Sequence, residues 1–251
     1  MRFFSMFAAF ALLAPGGLSA AVGAAEPGVA PPPTIAKVVQ RFAADNAGIV
    51  VFRETVVYNV KFPGRDSHTE EEIRALHQDR KTLAVRVHRV VEDGHTESAE
   101  ELAKTQVKFD QQYAGPPHIA SRFGMPYYPE SVGDYAFSSP RPCDGCTGGA
   151  QTVDFTSTTK DARHGHGTMT FDPVAARPIK LEFTPYSVAP PANAESLVYT
   201  YGRSDDGGWG IVRIEDHLSG QLMGMTGTAD RTTTFTNVRH YATVEDARRA
   251  L

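Results

Sequence analysis

The chain has 251 residues and a formal net charge of -4, from 25 Lys and Arg against 29 Asp and Glu. This acidic balance disfavours a nucleic-acid partner, because phosphate binding calls for an excess of cations. Hydrophobic residues make up 41% of the chain, which is enough for a core and excludes a disordered protein, and two Cys are too few to staple a fold.

The N-terminus, residues 1–25, has the pattern of a secretory signal peptide. A basic residue precedes the apolar run FFSMFAAFALL, and a Pro-Gly-Gly break and small residues follow it. We expect cleavage after Ala25, with Ala21 as the alternative, and a periplasmic or secreted mature protein. An uncut membrane anchor is disfavoured, and no later segment reaches the roughly 18–20 apolar residues of a transmembrane helix. Residues 26–33 then form a Pro-rich linker, and 34–251 a single mature domain.

A helix and a long strand are predicted to follow the linker. Ile35–Asn46 carries apolar residues at helical spacing, with Thr34 as a candidate cap. Ile49–Phe62 alternates apolar and polar residues with a period of two, as a strand with one covered face does. Glu54 is the single charge in the apolar row. A bulge or an edge position is favoured there over a place in a cavity wall.

Two HTE segments mark the next region, and each has the pattern of a capping box. Thr69 with Glu72 makes the first box, and Ser98 with Glu101 makes the second. The predicted elements are a helix over Glu70–Asp79, a strand over Thr82–Val91 and a helix over Ala99–Gln106. Capping preference explains both copies without a structural repeat, and residues 107–113 fit either helix or strand.

Residues 115–149 form an irregular insertion that is rich in Pro and Gly and also carries many aromatic residues. We expect it to pack on the domain, and a lid is one form that such packing could take. Cys143 and Cys146 lie in its PRPCDGCTGG motif, where an oxidising compartment favours a local disulfide. A catalytic dithiol, a haem site and a zinc site are disfavoured, because the motif lacks a helix start, a following His and further Cys ligands.

The C-terminal half alternates apolar and polar residues between turn signals, which indicates an antiparallel meander. The predicted strands are Gln151–Thr158, Gly165–Phe171, Ile179–Pro185, Leu197–Tyr201, Trp209–Leu218, Gln221–Gly227 and Thr232–Tyr241, followed by a short helix from Val244 to Leu251. The predicted fold class is therefore α+β and mainly β: a curved antiparallel sheet, or incomplete barrel, covered by a few helices.

The pair His164 and His166 is the main candidate for chemistry, as the metal site of a hydrolase. Residues two apart on a strand point the same way, so both imidazoles could bind one metal, with His217 or His240 as a distant third ligand. Two exposed His on a wet strand face are the favoured alternative. The sequence contains no nucleophile elbow, phosphate loop or H-E-x-x-H motif, so we expect no catalytic residue and no cofactor.

Two segments, HGHGTMTFDPVAARPIKLEFTPY and WGIVRIEDHLSGQLMGMTGTADRTTTFTNVRHYAT, carry a family resemblance. Together with the order of elements, they resemble the outer-membrane lipoprotein-sorting family, the LolA/LolB-like and LppX-like periplasmic proteins. The resemblance implies an incomplete antiparallel barrel, covered by helices, with an apolar cavity that shields acyl chains from water. The disulfide insertion and the acidic residues of the 68–106 region depart from the simple family pattern.

The leading functional hypothesis is a non-catalytic periplasmic carrier or binding protein for a hydrophobic ligand, a lipid or a lipoprotein acyl chain. The alternatives are the metal-dependent hydrolase and an envelope structural or interaction protein without a small ligand, for which an envelope protein would be the partner. For each candidate cavity residue, plain core packing is the competing interpretation. The candidates are Val50, Phe52, Val56, Tyr58, Met169, Phe171, Leu181, Phe183, Tyr199 and Tyr201.

Overall fold

The fold is built on one curved antiparallel sheet, seen in a computed structural model that describes residues 30–113, 118–119, 121–222 and 224–251. The predicted signal peptide and most of the linker lie outside these residues. The strands are β1 (Ile49–Phe62), β2 (Arg65–Gln78), β3 (Lys81–Glu92), β4 (His95–Thr96), β5 (His118–Ile119), β6 (Tyr135–Phe137), β7 (Arg141–Pro142), β8 (Gln151–Ser157), β9 (Gly165–Asp172), β10 (Arg177–Pro185), β11 (Ala192–Arg203), β12 (Trp209–Leu222) and β13 (Met225–Tyr241).

The strand order is β4-β3-β2-β1-β13-β12-β11-β10-β9-β8-β6, with β5 beside β3 and β7 beside β8. Each neighbouring pair is antiparallel. The last strand, β13, pairs with β12 on one side and with the first strand, β1, on the other. No pairing among the described strands joins the two edges, so the sheet is not closed. The predicted class, a mainly β half-barrel covered by helices, is confirmed.

Three helices belong to the described part of the chain: α1 (Pro33–Asp45), α2 (Ala99–Gln112) and α3 (Val244–Arg249). The predicted apolar stripe of α1 is buried. Its predicted cap is wrong: the helix begins one residue before Thr34, with Pro33 at its first position, where the missing N–H of Pro is no loss. The capping box of Ser98 and Glu101 is confirmed, and α2 continues through residues 107–112. None of these helices is long and apolar enough to cross a membrane.

The predicted helix at Glu70–Asp79 is wrong, because this segment belongs to β2. β2 pairs with β1 over its whole length, from Ile49 opposite Gln78 to Phe62 opposite Arg65. This 14-residue ladder satisfies the backbone hydrogen-bonding groups of both strands. It stabilises the segment more than a local helix cap would. The predicted strand Gln221–Gly227 is also wrong. Its first residues are the end of β12, its last residues are the start of β13, and the hairpin turn between them contains Gly224 at φ +79°.

The core lies on both faces of the sheet. On the inner face, α1 and residues 121–131, which we call the covering segment, pack over β8–β12, while α2 packs over β1–β3. On the outer face, α3 packs on Val51 and Leu76. Phe123, Met125 and Tyr127 of the covering segment are buried, so this part of the irregular insertion contributes directly to the core.

Candidate functional site

A cavity of about 550 Å³ lies on the inner face, between the α1 half of the core and the α2 half. β1, β11, β12 and β13 contribute its floor, and α1, the end of α2 and the covering segment contribute its walls. Its volume falls in the range of ~300–1,000 Å³ that is typical of small-molecule sites. The structure therefore leaves a ligand-sized space where the two halves of the core do not meet.

Strand register determines which side chains form the floor. In an antiparallel sheet, directly opposed residues share one face. Tyr58 on β1 lies opposite Arg231 on β13, and Arg231 lies opposite Asp216 on β12. These three form a polar row across the floor. Apolar rows flank it; the cavity-lining members include Val60, Ala229, Leu218, Ile214, Tyr199 and Phe235.

Four of the ten candidate residues line the cavity: Val50, Phe52, Tyr58 and Tyr199. The other six are buried but do not line the cavity. One of them is Val56 on β1. The other five belong to the α1 half of the core: Met169, Phe171, Leu181, Phe183 and Tyr201. The covering segment fills this half. Phe123 packs on Phe183 with ring centroids 4.9 Å apart, and the Tyr201 hydroxyl donates to that of Tyr127. That the four lining residues bind a ligand stays a prediction.

The polar row on the floor contains an ion pair that the sequence analysis missed. Arg231 Nη2 lies 2.9 Å from Asp216 Oδ2, and Arg122 of the covering segment pairs with Glu195 and approaches Asp216 at 3.8 Å. Burial raises the pKa of Asp216, although Arg231 and Arg122 act to lower it. Burial also acts to lower the pKa of Arg231, but Asp216 and Tyr58 outweigh it and raise that pKa. The sequence does contain a signal for this ion pair: the charged residue Asp216 lies between Ile214 and Leu218 in a row of apolar residues on one face of β12.

Glu54 lies in the cavity wall, where it is half-buried. The favoured edge position is wrong, because β1 pairs with β2 on one side and β13 on the other. The β1–β13 register does shift, between Val51 and Arg53, yet Glu54 still faces the cavity. Burial raises the pKa of the carboxyl to about 7; Arg231 acts to lower it and Glu71 to raise it further. Glu54 can therefore exchange a proton near neutral pH.

A second titratable group in the wall is His77. Burial lowers its pKa to about 4, so the imidazole is neutral at physiological pH. One ring nitrogen lies 3.1 Å from the Thr82 hydroxyl, and the ring packs edge-on against Phe52. His77 thus belongs to the neutral part of the wall.

The glycines, rather than the histidines, explain the HGHG motif structurally. A Cβ at Gly165 would collide with the carbonyl oxygen of Thr184, and one at Gly167 with that of Glu182. These positions let β9 and β10 approach each other closely.

The two histidines of this motif have different surroundings. His164 contacts Asp161 at 2.7 Å and Asp134 at 3.3 Å, whereas His166 is exposed and stacks on Tyr186. The suggested third ligands, His217 and His240, pair instead with Asp230 and Asp206. Within the described residues, no group of three or more His, Cys, Asp or Glu could hold a metal ion.

The predicted disulfide joins Cys143 and Cys146 in the structure. It lies between β7 and β8, and neither residue lines the cavity.

The chain resembles several solved structures, although no family model and no curated protein matches its sequence. A DUF1329 family protein from Desulfovibrio piger is 8% identical, with a TM-score of 0.43 over 85% of this chain and 94% of that one. A putative outer membrane lipoprotein-sorting protein domain from Vibrio parahaemolyticus is 14% identical, with a TM-score of 0.40 over 85% and 96%. A LolA superfamily protein from Nitrosomonas europaea is 10% identical, with a TM-score of 0.36 over 84% and 96%.

These neighbours include the lipoprotein-sorting kind of protein that the sequence resembles. The fold and the cavity by themselves define a class: an open antiparallel half-barrel with a ligand-sized space on its covered face.

Proposed function

We propose that this protein is an exported, non-catalytic binding protein or carrier for a hydrophobic molecule. The single observation that carries the proposal is the cavity of about 550 Å³ on the inner face. A solid core would bring the α1 half and the α2 half into contact, whereas here apolar side chains such as Ile211, Ile214 and Val238 face empty space. Apolar surface around such a space favours an apolar ligand.

Several features support a carrier rather than an enzyme. The apolar part of the lining suits an acyl chain or a similar hydrocarbon. The covering segment, which contributes Ser121, Arg122, Phe123 and Tyr128 to the wall, shields part of the space from water. Under this proposal, the occupant of the cavity is an acyl chain of a lipid or a lipoprotein.

Lipid analysis is the direct test. Protein purified from its own cell envelope is extracted and its lipids are identified by mass spectrometry, and the delipidated protein is titrated with 1-decanol, a neutral ligand with one apolar chain. We expect co-purifying hydrophobic molecules and saturable decanol binding. Absence of both would refute the proposal.

A variant that fills the cavity localises the binding. Ile214→Trp places a large ring into the space from the floor and should weaken decanol binding about tenfold or more, at little cost in stability because room exists. Val174→Trp is the matched control, since Val174 is 93% exposed in the β9–β10 turn. Equal binding by the two variants would place the ligand outside the cavity.

A further inference from the structure

One charged side chain that lines the cavity has no ion-pair partner among the described residues. Six Asp, Glu and Arg side chains line it, and five of them form ion pairs: Asp45 with Arg177, Arg80 with Glu130, Arg122 with Glu195, and Asp216 with Arg231. The sixth, Glu54, forms no hydrogen bond or ion pair with another described residue. The cavity therefore contains one carboxylate whose charge no neighbour in direct contact compensates.

Apolar and acidic neighbours surround Glu54. Its cross-strand partners are Ile73 on β2 and Phe235 on β13. Glu71, which lies on β2 two residues from Ile73 and opposite Val56, repels Glu54. Arg231, the cation that attracts Glu54, is already paired with Asp216. An ionised carboxylate in this position is costly unless a cation joins it.

Aromatic rings flank the same position. Phe52 precedes Glu54 by two residues on the same face, and its ring packs against that of Phe235 with centroids 5.6 Å apart. Tyr113, at the end of α2, also lines this wall, and Glu54 contributes to raising the pKa of its hydroxyl. A carboxylate beside aromatic faces is the usual environment for an organic ammonium group, through ion pairing and cation–π attraction.

A second acceptor on the floor is also unsatisfied. The Asp216 side chain is 2% exposed and lines the cavity, but its Oδ1 atom has no hydrogen-bond partner among the described residues. A buried acceptor without a donor costs about 1–3 kcal/mol. Arg231 Nε also lacks a hydrogen-bond partner among the described residues, but all three arginines that line the cavity, Arg80, Arg122 and Arg231, form ion pairs with carboxylates. Among the described residues of the cavity, no unpaired arginine remains to bind an anionic headgroup.

We propose that the cavity selects amphipathic ligands that end in a protonated amine, with the ammonium group at the Glu54 carboxylate and the hydrocarbon part along the apolar floor. This inference rests on the proposed function and specifies its ligand class. A fatty acid or another anionic amphiphile should be rejected, because it would bring a carboxylate to Glu54 and Asp216.

Three ligands of equal chain length test the selectivity: decylamine, 1-decanol and decanoate, titrated into the delipidated full chain at pH 8. The wild type should bind decylamine about tenfold or more tightly than decanoate. Glu54→Gln should weaken decylamine binding about tenfold and should change decanol binding much less than decylamine binding, and retained decanol binding shows that the variant is folded. Glu182→Gln, which alters an exposed carboxylate paired with Lys180, is the matched control.

The outcomes separate the two proposals. If decanol binds but the amine and the carboxylate bind equally, or if Glu54→Gln affects all three ligands alike, the ammonium site is refuted and the hydrophobic cavity stands. If none of the three ligands binds, the proposed function and the ammonium site both fail.

Discussion

Arg80 donates two hydrogen bonds from Nη2 to the carboxylate of Glu130, at 3.0 and 2.8 Å. Arg80 lies in the β2–β3 turn and Glu130 in the covering segment, so this contact fastens the cover to the sheet. The guanidinium also lies over the Tyr128 ring, 4.4 Å from its centroid. Since Arg80 and Tyr128 both line the cavity, the contact lies at its boundary and is suited to control ligand exchange.

Loosening this contact should speed ligand release. Arg80→Gln removes a half-exposed ion pair and a cation–π contact, together worth about 1 kcal/mol, so an exchange limited by opening of the cover should become about fivefold faster. Stopped-flow dissociation of Nile red measures it. Arg141→Gln removes a similar pair, with Asp154, away from the cavity and should leave the rate unchanged. Equal rates in wild type and Arg80→Gln would contradict a role of the covering segment as a lid.

The pair of Asp216 and Arg231 should be costly to break singly. Its carboxylate is almost fully buried, so Asp216→Leu or Arg231→Met leaves an uncompensated charge and should lower the free energy of unfolding by about 3–5 kcal/mol. The double variant removes both charges and should lose much less than the sum. Urea unfolding of the four proteins measures the cycle; additive losses would contradict the interaction.

In the HGHG motif, replacing a glycine should destabilise the fold more than replacing a histidine. Gly167→Ala introduces a Cβ that collides with the Glu182 carbonyl, so the strands must separate, and we expect a loss of about 2 kcal/mol or more. His166→Ala removes an exposed ring and should change stability by less than about 0.5 kcal/mol. Thermal unfolding compares the two variants. A larger loss from His166→Ala would reverse this interpretation of the motif.

Local patterns predicted two elements correctly. Alternation located β1 with its observed bounds, and the Ser98–Glu101 box located the start of α2. The same box pattern at Thr69 and Glu72 failed, because a 14-residue ladder with β1 outweighs a cap. Capping contributes only about 1 kcal/mol, so a long-range strand pairing can override it.

The sequence predicted an apolar cavity on the covered face of the sheet, but it predicted only some of the residues that line it. Alternation identifies the inner face, and Tyr199 and Phe183 look equivalent in that pattern. What separates them is the covering segment, which packs Phe123 on Phe183 and leaves Tyr199 at the open space. Such irregular packing has no periodic signal. The charge of Glu54 in an apolar row was the more informative feature.

The ionisation of Glu54 gives the last prediction, for the ligand-free protein. Four groups act on this carboxyl: Glu71 from β2 repels it, Arg231 from β13 attracts it, and the hydroxyls of Tyr58 on β1 and Tyr113 on α2 lie within electrostatic range. Burial is the largest cause and, together with Glu71, raises the pKa of Glu54 from 4.5 to about 7 in the folded protein, against the lowering effect of Arg231. The folded state therefore holds this proton more tightly than the unfolded chain. Its contribution to stability is complete below about pH 4.5 and is lost as the pH rises through about 7.

Glu54→Gln, which cannot ionise, should accordingly match the wild type near pH 4 and exceed it at pH 8.5 by a free energy of unfolding on the order of 2–3 kcal/mol. Denaturant unfolding of both proteins at several pH values, without ligand, measures the difference. Glu182→Gln, on the exposed face of β10, should show no such rise with pH. A difference between wild type and Glu54→Gln that stays constant from pH 5 to 8.5 would mean that Glu54 is ionised throughout, and hence that the cavity already supplies a cation to it.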